Sequence, residues 1–142
     1  MQFSSGLKDR FVEQGTKVLV YRNLNKANMF SVKSLEGQFK NLVIGHFQSL
    51  QLEPCDNLES MIKLSKASQA RCKLQGVRNV HLGITGRITS ITIKEQPNVE
   101  TRLTYNPFID EGFKFKTNNK PWNGNASKVI FHDNAAFAIN KD

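Results

Sequence analysis

The chain has 142 residues, 39% apolar and 23% charged, which fits one globular domain and excludes general disorder. Its 20 Lys and Arg against 12 Asp and Glu give a net charge of +8 and a pI near 9.7, a balance that attracts polyanions. Two cysteines, Cys55 and Cys72, are too few for a disulfide scaffold, no run reaches the ~20 apolar residues of a membrane helix, and MQFSSGLKDRF lacks the apolar stretch of a signal peptide. The expectation is an intracellular protein with no membrane partner.

Residues 1–16 read as a flexible N-terminal arm ahead of a single domain over 17–142. Residues 17–24 (KVLVYRNL) are rich in β-branched and aromatic side chains and predict a strand, returned over 29–33 after the turn-forming 25–28 (NKAN). Residues 42–52 (LVIGHFQSLQL) predict one long strand, with Leu42, Ile44, Leu50 and Leu52 on one face and Gly45 a place for a bulge. After Pro54, residues 61–64 fit a strand, and residues 66–75 (KASQARCKLQ) predict one short helix stopped by Gly76.

Residues 79–93 (NVHLGITGRITSITI) alternate most clearly. Val80, Leu82, Ile84 and Ile88 take one face and His81, Thr85 and Arg87 the other, and a parity change to Ile91 and Ile93 predicts a bulge near Thr89 and Ser90. Residues 99–105 predict a strand, and the alternation Phe113, Lys114, Phe115, Lys116 predicts another. Residues 128–131 and 136–139 predict a terminal hairpin. Strands outnumber helices, so the expected class is α+β: a mostly antiparallel sheet or partly closed barrel with one short helix.

Between Ser60 and Lys94 stand Lys63, Lys66, Arg71, Lys73, Arg78, Arg87 and Lys94 with no Asp or Glu. Guanidinium forks donate two hydrogen bonds at once to phosphate, so this stretch favours nucleic acid, DNA or RNA, as partner. The expected contact residues are Lys66, Arg71, Lys73, Arg78, Thr85 and Arg87, joined by Lys114 and Lys116. Phe113 and Phe115 either stack on bases or, as such alternations more often do, face the core. A metal-independent, ribonuclease-like phosphodiesterase is the catalytic alternative, with His46 and His81 as acid and base. His46, Cys55, Cys72 and His81 lack compact metal-ligand spacing, and neither a Walker A nor a nucleophile motif occurs, so no metal or cofactor is expected.

Several ordered segments carry a resemblance: VYRNLNK at 20–26, MFSV at 29–32, VIGH at 43–46, RNVH at 78–81 and TYNPF at 104–108. In this order and spacing the chain resembles a family of small, mostly uncharacterised proteins of tailed bacteriophages, over about residues 18–139. The resemblance implies a protein made in the host bacterial cytoplasm during infection and implies no activity; a component of the virion is one alternative. With it comes a further alternative: a host-takeover protein that blocks an acidic bacterial protein, for instance a nucleic-acid enzyme.

Overall fold

The computed structural model describes residues 1–22, 29–54, 61–63, 82–93, 97–104, 112–122, 126–132 and 135–139. Twelve strands run through them: β1 Gln2–Phe3, β2 Val12–Glu13, β3 Lys17–Arg22, β4 Phe30–Ser34, β5 Val43–Phe47, β6 Ser49–Pro54, β7 Met61–Lys63, β8 Leu82–Ser90, β9 Arg102–Thr104, β10 Lys114–Phe115, β11 Lys128–His132 and β12 Ala135–Ile139. Strands β1 and β2 form a separate hairpin. The other ten make one sheet ordered β10-β9-β12-β11-β6-β8-β3-β4-β5, with β7 also on β8. Every pairing is antiparallel. The helical elements among the described residues are single 3₁₀ turns at Leu7–Asp9 and Val99–Thr101. The architecture is therefore a mostly antiparallel β fold, and the helix expected over 66–75 lies outside the described residues.

The sheet cannot be flat. Strands β5 and β6 are joined by Gln48 alone, yet β4, β3 and β8 stand between them in the sheet. Four inter-strand steps in a flat sheet span ~19 Å, whereas Cα atoms two residues apart are separated by at most ~7.6 Å. The sheet must wrap until the end of β5 meets the start of β6. A ring contact reports the same curl: Phe30 of β4 meets Phe131 of β11 edge to face at 5.0 Å, across the strands β3, β8 and β6. Among the described residues no ladder joins β5 to β6, so the sheet wraps without closing. The single strand expected over 42–52 is thus two strands with a corner at Gln48, and its alternation is broken: Phe47 joins Ile44, Leu50 and Leu52 in the core, whereas Leu42 is exposed.

The concave side holds the core: Val18, Val20, Val32, Ile84, Ile88, Leu50, Leu52, Val129 and Phe131 are all essentially inaccessible. Burying one such side chain contributes roughly 1.5–3 kcal/mol. Two bulges fit the strands to this curvature. In β8 the register passes from Gln51–Ser90 to Leu52–Ile88, which leaves Thr89 as the extra residue where the sequence parity changes. In β5 the register passes from Val32–Gly45 to Lys33–Val43, and the extra residue, Ile44, is turned into the core. Gly86 lets β6 approach, because a Cβ there would stand 2.7 Å from the Glu53 carbonyl oxygen.

Residues 1–16 pack on the sheet, unlike the loose arm the sequence predicts. Phe3 and Val12 are buried in the core, the Ser5 hydroxyl accepts the His46 N–H at 3.2 Å, and Arg10 Nη1 donates to the Val43 carbonyl at 2.8 Å. His46 and Val43 lie on β5, the edge strand, so the arm's side chains satisfy outward-facing groups that would otherwise recruit another strand.

Candidate nucleic-acid interface

Ladder register places Lys17, Leu19 and Tyr21 of β3 beside Arg87, Thr85 and Gly83 of β8 on the convex face. That face is covered at its centre. Leu19, Thr85, Ile130 and Phe137 are buried, with Thr85 only 1% exposed, and a Cβ on Gly83 would stand 2.5 Å from Leu19 Cδ1. The polar face expected for His81, Thr85 and Arg87 is therefore corrected at Thr85: its hydroxyl has no open surface on which to meet a phosphate. Strict alternation misleads here because both sides of the central strands are packed.

Arg87 itself is open, with its side chain 54% exposed, but it is already engaged. Its Nη1 donates to the Gly15 carbonyl at 3.0 Å and approaches Glu36 Oε1 at 3.4 Å. Glu36 also accepts the Lys17 backbone N–H at 3.0 Å, and Glu53 is the cross-strand neighbour of Arg87 on β6. Carboxylates from distant segments thus offset the positive charge on this part of β8. Lys66, Arg71, Lys73, Arg78 and His81 lie outside the described residues.

A second group of cations assembles at the far end of the sheet. Lys114 of β10 pairs with Thr104 of β9 and bridges to Pro121, and the Lys116 N–H donates to the Arg102 carbonyl at 2.9 Å. The intervening turn is tight: Phe115 N–H reaches the Lys120 carbonyl at 2.9 Å, Asn119 N–H reaches the Phe115 carbonyl at 2.8 Å, and Asn119 adopts φ 60°. Arg102, Lys114, Lys116 and Lys120 are thereby held around one hairpin. Lys116 and Lys120 are exposed, and among the described residues no carboxylate pairs with the side chain of Arg102, Lys116 or Lys120.

Buried aromatics fix that hairpin from below. Phe113 and Trp122 are both buried and meet edge to face at 6.2 Å, while Phe115 packs against the core. The rings act as anchors, so base stacking on Phe113 is ruled out, while Lys116 and Lys120 are exposed along with the rest of residues 116–121. The sequence points to Lys114 and Lys116; Arg102, which only strand pairing brings near, and Lys120 stand beside them. A signal for Lys120 was present: residues 112–132 hold Lys114, Lys116, Lys120 and Lys128 and no Asp or Glu.

His46 sits half-buried on β5 opposite Ser31, and its Nδ1 lies 3.1 Å from the buried Ser31 hydroxyl. With its backbone N–H bonded to Ser5, His46 ties the edge strand to both β4 and the arm. The expected catalytic partner of His46, His81, lies outside the described residues.

Comparison with known families places this chain. The family model described as the Mycobacterium phage L5 gene 82 protein matches residues 11–139, nearly the whole sequence. The chain belongs to this family. The resemblance read from the ordered segments thus leads to a bacteriophage protein family. No curated protein and no solved structure gives a significant match. For this phage family member, no helix among the described residues is long and apolar enough to cross a membrane. Nor do the described residues gather three or more His, Cys, Asp or Glu side chains into a possible metal site.

Proposed function

We propose that this phage-encoded protein binds nucleic acid through phosphate contacts and performs no chemistry of its own. The observation that carries the reading is the tight turn over residues 115–120 that follows β10, which displays Lys116 and Lys120 with Lys114 of β10 and Arg102 of the neighbouring β9 beside them. This turn and its buried Phe113–Trp122 anchor support preorganisation, so little ordering entropy opposes phosphate binding. Lys66, Arg71, Lys73 and Arg78, from the stretch between Ser60 and Lys94, are further proposed phosphate contacts, whereas Arg87 contributes less because the Glu36 carboxylate beside it offsets its charge. No base-reading group is invoked, so binding is indifferent to sequence.

The test is fluorescence anisotropy of labelled duplex and single-stranded oligonucleotides across a salt series. The four contacts at the turn after β10 contribute about −3.6 to the log-log slope on duplex and about −2.8 on single strands. The triple variant Lys114→Ala, Lys116→Ala, Lys120→Ala weakens binding and flattens the slope by about 2 to 3. Absence of binding at low salt, or an unchanged slope in the triple variant, would refute this interface.

A further inference from the structure

Between the arm and the loop joining β4 to β5 lies a cleft of about 190 Å³. We propose that it is a docking site for a basic side chain, arginine first, presented by a partner protein. The proposal rests on the cleft's own chemistry and is independent of the hairpin lysines.

The walls are aromatic. Phe11 and Phe39 cross edge to face at 5.3 Å and are only half-buried, so ring surface remains open to the cleft. Buried Val12 and Ser34 also line it. Three backbone bonds hold the loop in shape: Lys40 N–H to the Gly37 carbonyl, Asn41 N–H to the Ser34 carbonyl, and Leu42 N–H to the Phe39 carbonyl. The wall therefore exists before any ligand arrives.

The lining carboxylates are Glu13 and Glu36, in a chain whose net charge is +8. They are not equivalent. Glu36 Oε1 already accepts the Lys17 N–H and approaches the Arg87 guanidinium. Glu13 Oε1 accepts only the neutral Gln2 amide at 3.0 Å, so its charge is the one left to attract a cation. A carboxylate beside aromatic rings matches an apolar stem ending in a cationic head, and a planar guanidinium both stacks on a ring and forks to a carboxylate. The volume suits one side chain, far below the ~300 Å³ or more of a drug-sized pocket. The same negative charge repels phosphate, which makes a protein the occupant.

The experiment is a ¹H–¹⁵N chemical-shift titration of the full chain with N-acetyl-arginine amide, against N-acetyl-citrulline amide, which keeps the shape without the charge. Expected are saturable shifts confined to residues 11–16 and 34–39, with citrulline weaker by about fivefold or more, the scale of one exposed cation–π contact plus one ion pair. Glu13→Gln, at an exposed position, removes the ion pair and narrows the gap between arginine and citrulline, and Phe39→Leu removes the cation–π contact while keeping apolar volume. Lys114→Ala, Lys116→Ala, Lys120→Ala leaves the titration unchanged, which separates this site from the nucleic-acid interface. Equal binding of citrulline, full affinity in Glu13→Gln, or shifts centred elsewhere would overturn the assignment.

Discussion

Replacing Gly45 with Ala tests whether the arm is docked as described. The added Cβ would stand 2.9 Å from Ser5 Cβ and closer still to Ser5 Oγ, and 3.3 Å from Phe47 Cε2. Because the Ser5 backbone is pinned between buried Phe3 and the Arg10–Val43 bond, relief requires the arm to move. Overpacking of this kind costs about 1–3 kcal/mol. For a chain of this length that lowers Tm by roughly 3–10 °C. Ser5→Gly alone removes the hydroxyl that accepts the His46 N–H and costs about 1 kcal/mol. It also removes both atoms that clash, so the double variant should be little worse than Ser5→Gly alone, with a coupling of about 1–2 kcal/mol. Urea unfolding of the four proteins measures the cycle, and trypsin cleavage after Lys8 and Arg10 reports release of the arm. Additive losses, with no faster cleavage in Gly45→Ala, would refute the docking of Ser5 on Gly45.

Two further outcomes are expected. Phe131→Ala removes the ring that Phe30 meets across the curl and costs about 3–5 kcal/mol, read as a shift in urea midpoint; a loss below about 1 kcal/mol would show that the sheet does not fold over this contact. Arg87→Ala and Glu36→Gln each change stability by less than about 1 kcal/mol, because the pair is roughly half exposed at 54% and 48%, and a double-mutant cycle checks this.

The sequence made the local features of the sheet readable and hid its global shape. The hairpin of β3 and β4 stands where β-branched runs flank turn residues, and the parity change after Ile88 locates the bulge at Thr89 within a residue. Both follow from a two-residue period that depends only on near neighbours. The corner at Gln48 was not legible, because Leu50 and Leu52 keep facing the core after the chain has turned. Thr85 was misplaced for a related reason: alternation predicts an open face only where one side of a sheet meets solvent. At the proposed interface, Arg102 joins Lys116 through a strand pairing that no spacing rule encodes. The buried role of Phe113, by contrast, follows the commoner reading of an aromatic–lysine alternation.

The lone residue Gln48 has a mechanical consequence. Because it hinges together strands that would sit at remote positions in an unrolled sheet, β5 cannot take its place on β4 unless the other flank is drawn round with β6. The two flanks are thus geared to one another, and a few extra glycines spliced in at this joint would let them part independently.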